Sequence, residues 1–168
     1  GLNYSNVVAP RVRNLMRRWP SAWQTSVFAS MIRRYGIKDV ISWRDNEKPR
    51  RIESLTEFFI DQCVETEAEC RNWLAIDDNL ILLREVRGVG PKSVDYLKSL
   101  VGVPSVAVDR HVRTFVEWAG LSLSGYDVIR VVVCEAAEAL GYGLCDLDHA
   151  IWRYVSSQPA PGVVPTAA

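Results

Sequence analysis

The sequence is poor in the residues that build the most easily recognised sites: 168 residues hold only two histidines and four cysteines. Cys63, Cys70, Cys134 and Cys145 form no C-x-x-C pair and no zinc-like spacing, which excludes a disulfide scaffold and a structural zinc and predicts four buried thiols in a reducing compartment. Net charge is also lacking, with 20 basic and 20 acidic side chains, so the simplest signature of a nucleic-acid partner fails. No apolar run nears the roughly 20 residues needed to span a bilayer. The best stretch, Val131 to Gly141, is broken by Glu135 and Glu138, which argues against a membrane protein. Residues 1–6 carry neither a basic nor an apolar leader pattern, so an intracellular protein is expected, and Gly1 reads as a cloning scar or a processed end. Alternation of period two is missing except around Val103 to Val108, and there is no internal repeat.

What remains is helical. Apolar spacing predicts an all-α fold with helices over 5–18, 21–35, 49–63, 66–75, 78–87, 91–101, 109–119, 126–140 and 146–156. Pro20-Ser21, Gly36, Gly88-Val89-Gly90, Gly102, Gly120, Ser124-Gly125 and Gly141 punctuate them as stops and caps. The end, SSQPAPGVVPTAA, is small-residue and proline-rich, and residues 159–168 are expected to form a flexible tail. Charge is uneven along the chain although it cancels overall. Residues 1–51 hold 11 basic and 3 acidic side chains, 52–80 hold 1 and 8, 81–118 hold 6 and 4, and 119–168 hold 2 and 5. A basic first segment suits one wall of a polyanion groove; the ordinary alternative is a solvated helix face.

Two stretches carry chemistry. Leu82 to Leu97 reads as a helix, a Gly88-Val89-Gly90 hairpin, and a second helix opened by Pro91. Glycines allow a tight reversal with backbone N–H groups close to a ligand, and the following helix start presents unpaired donors at a positive dipole end, a combination suited to phosphate. A plain helical hairpin with a glycine cap is the alternative. In the second stretch, Val106-Ala107-Val108-Asp109-Arg110-His111, an apolar segment runs into an Asp with the ordinary job of an N-cap. Chain geometry relates the two: the helix after Lys92 climbs about 15 Å, and the seven residues from Gly102 to Val108 can return up to about 23 Å. Asp109 can thus come back beside Lys92.

Gly88-Val89-Gly90-Pro91-Lys92-Ser93 resembles the G-V-G-x-K-T motif, and Ala107-Val108-Asp109-Arg110-His111 the A-V-D-x-H motif, of the endonuclease III-like members of the helix-hairpin-helix DNA glycosylase superfamily. The likeness covers roughly residues 80–118. It implies two helical lobes with a cleft between them within one unit of residues 1–158: a central lobe of about 21–105, and a second lobe from the N-terminal helix plus about 106–158. By that resemblance Lys92 takes the place of the lysine that attacks C1′ as a Schiff-base nucleophile in bifunctional members. Asp109 matches the aspartate that stabilises charge at the sugar, and His111 a position that contacts phosphate. Arg87, Gly88, Val89, Gly90, Ser93 and Arg110 are the further candidates for DNA contact. The carbonyls of Val86 and Val89 would be among the donors to a monovalent cation that orients the hairpin.

The chain also departs from the pattern. The usual L-P-G-V-G is replaced by Val86-Arg87-Gly88, a cation in place of a rigid proline. The C-x6-C-x2-C-x5-C arrangement of a C-terminal iron–sulfur cluster is missing; Cys63 and Cys70 have the first spacing but no partners after them, so no cluster and no required cofactor is expected. Gln24 is a candidate for the wedge that fills the base stack, with the edge of a core helix as its other role. The six tryptophans are expected in the core first and none is assigned to a base. The implied function is a base-excision repair DNA glycosylase, with AP lyase activity through Lys92. It would act as a monomer on double-stranded DNA containing a damaged or modified base, in the cytoplasm or at the nucleoid. The alternative is a non-catalytic helix-hairpin-helix DNA-binding module, which needs Gly88 and Gly90 but not Lys92 with Asp109; a third reading, an interaction domain unconnected with DNA, makes both motifs coincidence.

Overall fold

A computed structural model describes residues 4–158. The proposed tail, 159–168, and the first three residues lie outside the described residues. A π-helical turn, Tyr4–Val8, leads into α1 (Ala9–Arg18). There follow α2 (Thr25–Tyr35), α3 (Ile37–Ile41), α4 (Glu47–Asp61), α5 (Glu67–Leu74), α6 (Asp77–Glu85), α7 (Pro91–Leu100), α8 (Arg110–Trp118), α9 (Tyr126–Leu140) and α10 (Leu144–Ser157). Among the described residues there is no strand, and the protein is all-α. No described helix is long and apolar enough to cross a membrane. The expected helices are present with ends moved by a few residues; α3, five residues after Gly36, is additional.

The chain forms two compact units, 1–89 and 90–168, which meet in sequence inside the glycine hairpin. In the first, α2 packs on α3 and α4, and α1 on α3. Arg11 and Arg18 of α1 reach the carbonyls of Ser42 and Asp39 at 3.3 and 3.4 Å. Phe58, Phe59 and Trp73 meet edge to face, with ring centroids 5.5 to 5.9 Å apart, beside fully buried Leu74. α5 starts with a complete capping box, Thr66 to Glu69 and back, which satisfies donors that the first turn leaves orphaned.

In the second unit, Val106, Val108, Val112, Val116, Ile129, Val133 and Ile151 form a buried cluster. α8 supplies Val112 and Val116, one turn apart on one face, while Arg110 and Glu117 stay exposed. α10 packs on α8 and α9.

Two composition-based expectations are corrected. Cys63 and Cys145 are exposed, and only Cys70 and Cys134 are half-buried, where burial raises both thiol pKa values. Among the tryptophans, Trp23, Trp118 and Trp152 are exposed, because the valine and isoleucine faces of the helices fill the core without them.

Candidate active site

The path between α7 and α8 fixes the site. Ser105 to Val108 run extended and buried with no strand beside them, so their backbone donors need side-chain partners. Val108 N–H donates to the Tyr126 hydroxyl at 3.2 Å, and Ala107 N–H to the Asp148 carboxylate. Asp95, a buried carboxylate on α7, accepts from the Ser105 and Tyr126 hydroxyls. One polar network therefore ties α7, the extended segment and α9 together. Burial, then the bond to Asp95, raises the Tyr126 phenol far above its usual range.

At the end of this segment Asp109 caps α8. Its Oδ1 accepts from His111 N–H at 2.7 Å and Val112 N–H at 3.1 Å, and Oδ2 lies 2.9 Å from His111 Nδ1. Both side chains are largely withdrawn from water, at 12% and 15% exposure. Burial pushes the Asp109 pKa up, but the hydrogen bonds from His111 and Val112 together outweigh it and hold the group below the usual carboxylate range. The His111 ring meets the edge of Trp152 at 6.3 Å, and Trp152 stacks on His149.

A second carboxylate, Asp148 on α10, stands in the same field. Burial, then the negative charge of Asp109, pushes it up to about 6, against the opposing hydrogen bond from Ala107. Tyr96 on α7 borders both: burial, then Asp109 and Asp148, raises its phenol. Lys92, exposed at the second position of α7, carries its Nζ 5.5 Å from the centre of the Tyr96 ring. Lys92, Tyr96, Asp109, His111 and Asp148 all belong to the second unit. The partners of Asp109 are His111 and Val112, and the partner of Lys92 is an aromatic face.

The other candidates fall into two groups. Before the unit boundary, Val89 N–H closes a turn onto the Val86 carbonyl at 2.9 Å, which leaves that oxygen one lone pair for a cation. Gly88 has φ +85°, so the turn requires glycine there; Arg51 lies across it, with Nε 2.7 Å from where a Cβ would sit, a contact its flexible side chain could relieve by shifting. Arg87 is 81% exposed, its guanidinium 3.9 Å from Glu47, which also pairs with Arg51 at 3.1 Å. After the boundary, Gly90 caps α7 by accepting from Ser93 and Val94 N–H at 2.9 and 3.1 Å. Arg110 is exposed at the start of α8. Among the described residues, the N–H groups of Gly88, Gly90 and Lys92 have no protein acceptor. Gln24 precedes α2 beside Trp23, on the rim of a cavity of about 200 Å³ shared with Phe28, Ile52 and Leu55.

A family model described as a domain of unknown function, DUF8548, matches residues 32–156, well over half of the chain. The chain belongs to that family. No curated protein and no solved structure matches it. Both motifs and Asp148 fall within the matched DUF8548 region, whereas α1 precedes it.

Sequence reasoning missed Asp148, Tyr96 and Arg51 in this DUF8548 chain. Asp148 sits in Cys145-Asp146-Leu147-Asp148-His149, where two acids one position apart read as a solvated helix start. The available signal was register: Asp148 lies one residue beyond Leu147 and three before Ile151, at the border of the buried face of α10.

Proposed function

We propose that this chain is a base-excision DNA glycosylase, which extrudes one damaged or modified nucleotide from duplex DNA and breaks its N-glycosidic bond. The observation that carries this reading is Asp109: a carboxylate largely withdrawn from water yet held ionised by His111 and Val112. As the base departs, the sugar becomes electron-poor, and a fixed negative charge in a poorly solvated place stabilises it. Lys92 supplies the nucleophile: its neutral amine attacks C1′, the pair of the broken bond leaves with the base, and the imine that follows proceeds to strand scission by β-elimination. In the second unit the unpaired N–H groups of Gly90 and Lys92, with Ser93, Arg110 and the ring nitrogen of His111 not engaged by Asp109, are candidates for DNA phosphate contact; in the first unit the N–H of Gly88 and the side chain of Arg87 are. Val89 contributes by closing the turn. A monovalent cation on the carbonyls of Val86 and Val89 would polarise the hairpin amides; no step of the reaction passes through it.

A second reading, a helix-hairpin-helix module that binds DNA without chemistry, is favoured by one observation: the Asp109 oxygens already accept three hydrogen bonds, as a cap would. One experiment separates the two. Duplexes that each carry a single uracil, thymine mismatch, oxidised base or alkylated base are incubated with the protein and then cleaved with and without alkali. The wild type is expected to release a base from at least one of them. Asp109→Asn, which keeps an N-capping side chain, is expected to bind that duplex within a few-fold of wild type while base release falls about 10²- to 10³-fold. Borohydride is expected to trap wild type on the same duplex and not Lys92→Ala. Excision without a trapped adduct would make the enzyme monofunctional. Undiminished excision by Asp109→Asn would reduce that residue to a cap, and tight binding with no release from any duplex would favour the module.

A further inference from the structure

We infer that Asp148 is the proton acceptor of this site, taking the proton from the nucleophile that attacks the sugar carbon, while Asp109 serves as fixed charge; this rests on the glycosylase reading above. The placement comes from packing. α10 lies on α8, and its Trp152 touches the His111 ring. Asp148 is one turn earlier on the same face of α10, and its carboxylate receives the N–H of Ala107, two residues before Asp109. Two carboxylates thus stand at the start of α8 in different surroundings.

Asp109 is a poor base. Three of its roughly four acceptor positions are filled by His111 and Val112, and the same bonds lower its affinity for a proton. Asp148 has one backbone donor, partial burial and a negative neighbour, so it takes and gives up a proton near neutrality, where a general base is most effective. A pair of acids pushed apart by environment is the usual physical basis for dividing charge stabilisation from proton transfer. The groups around Asp148 are Asp109 at the cap of α8, Asp95 and Tyr96 from α7, and His149 on its own helix. Tyr96 borders both carboxylates and carries the Lys92 amine over its ring. In the step itself, the Nζ electron pair forms the bond to C1′ and the pair of the C1′–base bond leaves with the base. One Nζ proton passes to Asp148; water acting in place of Lys92 loses its proton to the same oxygen.

The test is single-turnover base release between pH 5 and 8 on the duplex that wild type cuts. Because the reactive form is the carboxylate, the wild-type log-rate profile is expected to bend near 6, its slope against pH falling there by one unit. Asp148→Asn keeps an acceptor for Ala107 N–H. It is expected to bind DNA normally, to be about 10²-fold slower at pH 7.5, and to lose the bend, while Asp148→Glu recovers part of the rate and the bend with it. A wild-type profile without a bend near 6, a bend that persists in Asp148→Asn, or a rate for that variant within twofold of wild type would each overturn the assignment. If Asp148→Asn melts early, the wild-type profile and Asp148→Glu decide. Absence of release by wild type from every duplex brings down the glycosylase reading and this inference with it; release by wild type that Asp148→Asn leaves unchanged removes the inference alone.

Discussion

Asp109 and Asp148 oppose each other in stability as well as in chemistry. The folded-state pKa of Asp109 is lowered, so its contribution is present above the unfolded carboxylate range and is lost as pH falls through the folded value. That of Asp148 is raised from 3.8 to about 6, so its contribution is full below the unfolded value and disappears as pH rises through 6. Above pH 6 the ionised Asp148 is a burden that Asn would not carry. At about 1.4 kcal/mol per pKa unit, reduced by roughly half for the solvent that still reaches the group, Asp148→Asn is expected to stabilise the protein by about 1–1.5 kcal/mol at pH 7.5. The gain should fall to a few tenths of a kcal/mol, about a fifth, at pH 4. Denaturant melts of both proteins at the two pH values check it, and a gain of equal size at both would show that charge is not its origin. The two acids also differ in how legible they were. Asp109 announces itself locally, as an Asp between an apolar run and a helix, whereas Asp148 acquires its character from Ala107 and Asp109, some forty residues earlier, which no local pattern encodes.

Helix ends show the same division between local and distant causes. α7, α8 and α9 stop at Gly102, Gly120 and Gly141, each with positive φ, and in each case the next residue donates back over five positions: Val103 to Lys98, Leu121 to Val116, Tyr142 to Ala137. These stops were readable from glycine alone. α4 ends in the same way with no glycine: Val64 N–H reaches the Phe59 carbonyl at 2.8 Å, Cys63 N–H reaches Ile60 at 2.9 Å, and Cys63 holds φ +56°. Buried Val64 and Phe59 supply the apolar contact that usually closes this motif. Tertiary packing thus imposes a left-handed conformation on a residue with a Cβ, which also explains why this cysteine is exposed. Cys63→Gly is expected to raise stability by about 1 kcal/mol, since the strain removed exceeds the added chain entropy, and a melting temperature at or below wild type would contradict it. α3 was illegible for a related reason. Five residues between Gly36 and Ser42 are too few to show a helical period, and the helix is held by packing on α4 and α1. The Val103 to Val108 run shows period-two alternation in the sequence, yet no strand pairs with it among the described residues; the amides of Ala107 and Val108 are satisfied by side chains instead.

At the scale of the whole molecule the zero net charge conceals a separation that bears on any DNA partner. The first 51 residues carry an excess of eight positive charges, and the next 29 an excess of seven negative ones. Among the described residues, several of those cations have no carboxylate partner: Arg11 and Arg18 reach backbone carbonyls and lie over the rings of Trp43 and Trp19. Arg50, Arg51 and Arg87 are exposed around a cavity of about 170 Å³ that Glu47, Glu53 and Glu57 also line, and Glu47 pairs with both Arg51 and Arg87. Such side chains read phosphate charge rather than base identity, so duplex binding is expected to be governed by the release of counterions from DNA. With about five neutralised phosphates, log affinity should fall against log salt with a slope near −4.5, a loss of roughly 500-fold between about 50 and 200 mM. Replacing Arg51 and Arg87 together by Ala should make that slope shallower by about one for each phosphate contact removed and weaken cognate and plain duplexes alike. Anisotropy titrations across the salt range measure both quantities. A slope near zero would sever the basic first segment from DNA. A double variant that weakens only the lesion-bearing duplex would instead move these arginines from backbone contact to recognition of the damaged nucleotide, because a phosphate contact is present in every sequence and cannot distinguish one base from another.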